Sequence, residues 1–153
     1  MVGSTMTDIS DIESLLASET GLATITTLRA DGRPLSSVVN VGTVDHPVSG
    51  DRMVAFVANG RSARLGHLRR NPAINVLVRR GWQWAAVEGD AELIGPDDPH
   101  ADVDAEALRV LIRAVFRAAG GTHDDFDEFD RVMAEDRRCA VLVAARRLYS
   151  NPG

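Results

Sequence analysis

The sequence predicts an α+β domain built mainly from antiparallel strands. Three observations carry this prediction: strand-like runs are separated by short turns, the dipeptide Asp31-Gly32 marks a hairpin, and the last third of the chain changes to helical spacing. A chain of 153 residues that is 44% hydrophobic can bury one sizeable core and is too short for two comfortable ones. We therefore expect one domain over residues 1–153, an antiparallel α+β barrel of about six strands with three or four helices.

The first two thirds of the chain predict one short helix followed by strands. Apolar periodicity places the helix at 9–16 and the strands at 21–28, 34–44, 52–58, 73–79 and 82–94. Because Asp31-Gly32 separates the first two strands, the second should return antiparallel to the first. Trp82 and Trp84 fall on one face of the last strand, where they either pack in a barrel or dimer contact or stack on a flat heterocycle.

The remaining third predicts two helices and a final strand. Apolar residues recur at helical spacing over 108–116, and Gly120-Gly121 ends that helix. Thr122 is expected to cap a second helix with an apolar stripe of its own. A strand over 139–144 then leads into a tail at 146–153, which either lies over a groove or ends in solvent.

A basic segment at 61–72 is the most informative stretch of the chain. It lies between two apolar runs, and Ser62 is a good N-cap for a short helix that ends before the proline at its end. The first N–H groups of a helix lack internal partners and carry the positive end of its dipole. The alternative is that these arginines are only solvated and that the serine caps the helix without any ligand. The pattern thus predicts an anion seat, made of Arg61, Ser62, the Ala63 amide and Arg64.

Composition and short motifs argue against several function classes. The net charge of -5 and the pI near 5.3 do not suit a nucleic-acid binder. No apolar stretch approaches the roughly 20 residues of a membrane span, and no basic segment followed by an apolar one opens the chain, so we expect a cytoplasmic protein. The surroundings of His100 and His123 lack a metal-ligand spacing, and no metal site is expected. Cys139 lies in an apolar run, which is typical of a buried structural thiol.

Three stretches, one of them within the basic segment, show a family resemblance. They are Gly-Leu-Ala-Thr-Ile-Thr-Thr-Leu-Arg-Ala-Asp-Gly-Arg-Pro at 21–34 with the Ser-Ser-Val-Val that follows, the Arg-Ser-Ala-Arg helix start with Leu-Arg-Arg-Asn-Pro, and Gly-Trp-Gln-Trp-Ala-Ala-Val-Glu-Gly at 81–89. Together they resemble the pyridoxamine 5'-phosphate oxidase-like split β-barrel superfamily over nearly the whole chain. Residues 121–133 and the ending from 136 resemble its actinobacterial branch, which uses the deazaflavin coenzyme F420 in place of FMN.

The resemblance implies an FMN-binding-like split β-barrel with flanking helices, assembled as a homodimer whose composite cofactor sites lie in grooves between subunits. Leu35 and Val38 are apolar where deazaflavin-binding relatives can carry amides, so polar contacts to the ring would rest on the backbone. The implied cofactor residues are Ser37, Val38 and Val39 beside the tricyclic ring, Arg61, Ser62, Ala63 and Arg64 at the phosphate, His67 at the same tail, and Trp82 from the neighbouring chain against the ring.

The resemblance also implies an activity. The expected function is an F420-dependent oxidoreductase that transfers a hydride from reduced deazaflavin to an electron-poor organic substrate such as an enone, a quinone or a tetrapyrrole. No side chain is assigned as catalytic, because the cofactor carries the chemistry. Two alternatives stay open: an FMN-binding enzyme like pyridoxamine phosphate oxidase, and a non-catalytic carrier of a flavin, haem or tetrapyrrole.

Overall fold

The structure, a computed structural model, describes residues 7–151 and contains four helices and seven strands within them. In chain order they are α1 (Ile9–Ser18), β1 (Leu22–Leu28), β2 (Pro34–Asn40), β3 (Gly42–Asp45), β4 (Arg52–Ala58), α2 (Ala63–Arg70), β5 (Ala73–Arg80), β6 (Gln83–Ile94), α3 (Ala105–Ala118), α4 (Phe126–Glu135) and β7 (Cys139–Ser150). The predicted α+β class with mainly antiparallel strands is confirmed. Among these residues no helix is long and apolar enough to cross a membrane.

All seven strands form one antiparallel sheet in the order β2-β1-β5-β6-β7-β4-β3. The predicted hairpin joins β1 to β2, with Gly32 at a φ of +84° that suits glycine. The prediction of a single strand at 34–44 is wrong, because the chain breaks at Val41, whose N–H donates to the Gly21 carbonyl. Since β2 and β3 are adjacent in the chain but lie at opposite ends of the strand order, the sheet must curl on itself.

The inner face of the curled sheet surrounds the main hydrophobic core. Alternate residues of each strand face it, as the period of two requires, and the exposed fraction of Phe56 in β4 is 0%. The helices α1 and α2 add to this core the side chains of Ile12, Leu15, Leu16, Leu65 and Leu68. We expect truncation of Phe56 to alanine to lower the free energy of unfolding by about 3–5 kcal/mol.

The outer face of β4 and β7 is covered by α3 and α4. Ala55 and Leu142 on this face are fully buried against Ile112 and Val115 of α3 and Phe129 of α4. β4 and the first half of β7 are therefore buried on two sides, which explains why β4 reads as a continuous apolar run. The outer face of β2, β1, β5 and the first half of β6 has no helix packed on it among residues 7–151.

Two predictions about the last third of the chain are wrong. Thr122 does not cap the second helix; the Asp125 carboxylate does, since it accepts the N–H groups of Asp127 and Glu128 at 3.1 and 3.2 Å. The last strand does not end near residue 144, because β7 continues beyond a bulge and pairs as far as Ser150 with β6. Most of the expected tail is therefore sheet, and residues 152–153 lie outside the described part.

Candidate functional site

The anion seat begins in a tight turn between β4 and α2. Asn59 closes this turn twice, since its side-chain Oδ1 accepts the Arg61 N–H and its carbonyl accepts the Ser62 N–H, both at 2.9 Å. Gly60 donates its N–H to the Asp136 carbonyl at 3.0 Å, and a Cβ at this position would lie 2.5 Å from the Arg137 carbonyl oxygen. Only glycine fits at this position of the turn.

The free hydrogen-bond donors of the seat are fewer than its sequence suggests. Ser62 caps α2 as predicted, with its Oγ 3.3 Å from the Arg64 nitrogen. Because Asn59 takes the N–H groups of Arg61 and Ser62, only the Ala63 N–H of these first amides lacks a partner within residues 7–151. The hydroxyl hydrogen of Ser62 also stays available, since its oxygen acts as the acceptor in the cap.

The side chain of Arg64 links the helix start to the sheet. Its Nε donates to Ser37 Oγ in β2 at 3.1 Å, so two residues that are 27 apart in sequence meet at the seat. This bond fixes the guanidinium, whose two terminal nitrogens have no partner in the described chain. Arg61 is exposed at the rim of the same turn. A fixed cation, a helix N-terminus and a free amide together form a site suited to a phosphate.

The strand β2 runs beside the seat as an edge strand. It pairs only with β1 among the described strands, so its other backbone edge keeps free donors and acceptors. Ser37 and Val39 face one side of the sheet, whereas Val38 faces the other and is 63% exposed. The three residues therefore share a backbone edge and not a common side-chain face, and a flat ligand beside them would meet peptide groups.

His67 lies behind the seat on its core side. The ring is buried, and its Nδ1 is 3.0 Å from the hydroxyl of Thr27, which is only 1% exposed. Sequence reasoning missed Thr27; the available signal was one polar residue on the otherwise apolar buried face of β1. That His67 reaches the tail of a ligand stays a prediction.

The two tryptophans have different surroundings. Trp84 packs edge-to-face on Tyr149 with ring centroids 5.8 Å apart, so it is a packing residue of the sheet. Trp82 lies in the β5–β6 turn with 93% of its surface exposed, and its backbone carbonyl accepts a hydrogen bond from Asn151. A role of Trp82 in a neighbouring chain's site stays a prediction.

The remaining polar clusters of the sequence shape loops. His100 and His123 each use Nδ1 to accept a backbone N–H two residues further on, from Asp102 and Asp125. Within residues 7–151 no three His, Cys, Asp or Glu side chains are grouped to hold a metal ion. Cys139 is buried, as expected, and burial raises the pKa of its thiol to about 12, which makes it a poor nucleophile.

Two cavities in the described part of the chain lie away from the seat. One, which we call the helical cavity, has a volume of about 430 Å³ and lies between α3, α4 and the loop that follows β6. A second cavity lies between α1, β3 and the end of α3. Neither is lined by residues of the anion seat or by β2. No local sequence pattern predicts the helical cavity, because its walls come from separate segments of the chain.

Comparison with known proteins identifies the fold. Residues 11–147 match the pyridoxamine 5'-phosphate oxidase family. The chain belongs to that family. The family resemblance seen in the sequence is thereby confirmed, and with it the flavin-binding type of split barrel.

Solved structures share this fold at low sequence identity. A conserved hypothetical protein from Mycobacterium tuberculosis is 19% identical with a TM-score of 0.69, and the match covers 98% of this chain and 88% of that one. An F420 reductase is 15% identical with a TM-score of 0.62, covering 97% and 98%. An FMN-binding protein from Nostoc punctiforme that is related to the oxidase is 15% identical with a TM-score of 0.61, covering 93% and 81%. The same fold thus occurs in a protein described as an F420 reductase and in one described as FMN-binding.

Proposed function

We propose that this family member is an oxidoreductase that binds coenzyme F420, with the coenzyme's phosphate at the anion seat, and reduces an electron-poor organic substrate. The observation that carries the proposal is the bond from Arg64 Nε to Ser37 Oγ, which holds a cation at a helix start beside an edge strand. The choice of deazaflavin over FMN rests on the resemblance of residues 121–133 to the F420-using branch.

The residues of the seat fit a phosphate by their chemistry. The Ala63 N–H and the Ser62 hydroxyl supply two neutral donors, and the terminal nitrogens of Arg64 supply a planar pair that suits two phosphate oxygens. Arg61 adds a second positive charge at the rim. The positive end of α2 favours an anion in the same place.

The protein's own part in the reaction is positioning. The free backbone edge of β2 offers hydrogen bonds to the polar rim of a flat ring, and the apolar side chains of Leu35 and Val38 lie on either side of that edge. Reduced deazaflavin, when bound, supplies a hydride to the substrate. A proton from solvent completes the reduction, since no described side chain is placed as a general acid at the seat.

We also propose that the site is completed by a second copy of this chain. The uncovered face of β1, β2, β5 and β6 presents Val38 at 63% exposure and Leu22 at 46%, and the Oδ1 atom of Asn75 on this face is buried without a partner in the described chain. Trp82 is exposed at the end of the same strands. A homodimer through this face would cover apolar surface and bring Trp82 to a neighbouring seat.

A titration tests the cofactor. Intrinsic tryptophan fluorescence is followed while oxidised F420 or FMN is added, with Arg64→Ala as the variant and Arg70→Ala as the matched control at the other end of the same helix. We expect F420 to bind more tightly than FMN. Loss of a charge-assisted bond to phosphate in Arg64→Ala should weaken binding about ten- to a hundredfold, while Arg70→Ala stays within about threefold of the natural chain.

Each other outcome has a definite meaning. Tighter binding of FMN makes the protein an FMN enzyme of the same family. Equal losses of affinity in Arg64→Ala and Arg70→Ala show that the anion seat does not hold the phosphate. If F420 binds but its reduced form is never reoxidised across enone, quinone and tetrapyrrole acceptors, the protein is a carrier. Light scattering tests the assembly, and a monomer in solution refutes the composite site.

A further inference from the structure

The helical cavity is a second concave site, separate from the anion seat. Its volume of about 430 Å³ lies within the range of small-molecule pockets, roughly 300–1,000 Å³. Apolar side chains from the loop after β6 and from both helices form most of its wall, including Val103, Leu108, Ile112 and Met133. Such walls take up the apolar body of a small molecule.

The acidic side chains on the wall of the helical cavity are already engaged. Asp104 caps α3 by accepting the Ala107 N–H at 2.8 Å. The carboxylate of Asp130 accepts Arg109 at 3.0 Å through one oxygen and Arg113 Nε at 2.8 Å through the other. These acids therefore offer no free charge to a cationic ligand, and the cation Arg109 is itself neutralised.

Arg138 is the charged group of the wall with hydrogen-bonding capacity to spare. Its single recorded partner is Asp136, at a long 3.3 Å from Nη2. Its Nε is buried and has no hydrogen-bond partner within residues 7–151. The side chain is 28% exposed, so most of it is removed from water. A ligand in the cavity cannot reach this buried Nε, but the terminal nitrogens keep N–H groups beyond the one given to Asp136. Such a guanidinium is suited to a planar anion that accepts two hydrogen bonds.

We propose that the helical cavity binds a small apolar carboxylate, with its carboxylate on the Arg138 guanidinium and its apolar body between α3 and α4. The ion pair with Asp136 at 3.3 Å uses only one of the terminal N–H groups of Arg138, and the remaining ones suit a single carboxylate. A phosphate dianion needs more donors than this wall provides. The site is independent of the cofactor seat, because no residue of the seat lines it.

The test compares octanoate with octan-1-ol, which has the same apolar body without the charge. Binding to the full chain is followed by calorimetry and by the NMR shifts of the side-chain methyl groups. Octanoate should shift the methyl groups of Leu108, Ile112 and Met133, and octan-1-ol should bind at least about tenfold more weakly because it cannot form the ion pair.

Three variants sharpen the test. Arg138→Gln should bring the affinity for octanoate down to that for octan-1-ol, and Ala134→Trp, which fills the cavity from α4, should abolish both. Arg131→Gln is the matched control, since Arg131 also lies on α4 but is 60% exposed and pairs with Glu135 outside the cavity; it should change neither affinity by more than about twofold.

The proposal is overturned by equal affinity for the two probes, by an Arg138→Gln variant that binds octanoate normally, or by shifts confined to methyl groups elsewhere. The absence of a saturable shift with millimolar octanoate also overturns it. If Ala134→Trp fails to fold, the methyl shifts of the natural chain still decide the location. Displacement of either probe by a segment of a second copy would appear as a dependence on protein concentration, and would also count against the proposal.

Discussion

Removal of the Thr27 hydroxyl should destabilise the protein out of proportion to the size of the change. Thr27→Val keeps the shape of the side chain and deletes one oxygen, which lies 3.0 Å from Nδ1 of His67 in the interior. The ring nitrogen then has no partner in a place that water does not reach. The change therefore tests whether the polar pair behind the anion seat is fully desolvated.

The magnitude follows from the cost of an unsatisfied buried group. Such a group lowers the free energy of unfolding by about 1–3 kcal/mol. The valine methyl compensates little of this loss, because it replaces a hydroxyl of similar volume. For a domain of about 150 residues, each kcal/mol lowers the melting temperature by about 2–4 °C. The expected decrease in melting temperature is thus about 2–12 °C.

The assay is urea and thermal unfolding followed by circular dichroism, with Thr26→Val as the control. Thr26 directly precedes Thr27 in β1, and its hydroxyl bonds to the Ser36 hydroxyl at 2.8 Å on the opposite, accessible face of the sheet. We expect a change within about 0.5 kcal/mol there, since water replaces the lost bond. If Thr27→Val is as stable as Thr26→Val, the pair of Thr27 and His67 is hydrated, and our account of the region behind the seat is refuted.

Three further predictions concern packing and protonation. Gly60→Ala should lower the free energy of unfolding by about 1–3 kcal/mol, because its Cβ would meet the Arg137 carbonyl oxygen. Gly66→Ala, which has open space around it in α2, should raise the free energy of unfolding by about 0.5–1 kcal/mol. Urea unfolding measures both variants, and equal effects would contradict the close approach at Gly60. Cys139 should resist alkylation at pH 8 until urea unfolds the chain, since burial raises its pKa to about 12. Because the thiol ionises more easily in the unfolded chain, the free energy of unfolding should fall as the pH rises from about 9 towards 12. Labelling of the native protein as fast as the unfolded protein would show that the thiol is accessible. Hydrogen bonds from Arg113 and then Arg109 lower the pKa of Asp130. The free energy of unfolding lost in Asp130→Asn should therefore be constant above about pH 5 and shrink as the pH falls below about 4. Urea unfolding across this range measures the loss, and a loss that does not vary with pH would show that the ion pair does not cause it.

Local chemistry was enough to predict most elements of the fold. The hairpin at Asp31-Gly32, the cap at Ser62 and the buried strand β4 each depend on a few neighbouring residues. The break at Val41 and the length of β7 depend on distant pairing, because β2 joins β1 while β3 joins β4, and the end of β7 is held by β6. Thr122 and Asp125 are both residue types that cap helices, and the loop geometry selects Asp125 at the start of α4.

The site, like the fold, was predictable only where it depends on neighbouring residues. The sequence indicates a helix start rich in arginine, and its position next to an edge strand needs the structure. The bond between Arg64 and Ser37, the closure of the turn by Asn59 and the support of His67 by Thr27 all join residues from different elements. No local pattern reports such contacts. The helical cavity was missed for the same reason.

The placement of β7 between β4 and β6 has a consequence for synthesis on the ribosome. β4 pairs with β3 within its own hairpin, but its other edge pairs with residues made 81 to 89 positions later. Until then the nascent chain carries Met53–Ala58, a run without charge, proline or glycine, with one edge open to any extended segment. Arg52 is the charge that flanks this run on its N-terminal side. A stalled or truncated product that stops before residue 139 should therefore be prone to aggregation and a substrate for chaperones that bind extended apolar chains.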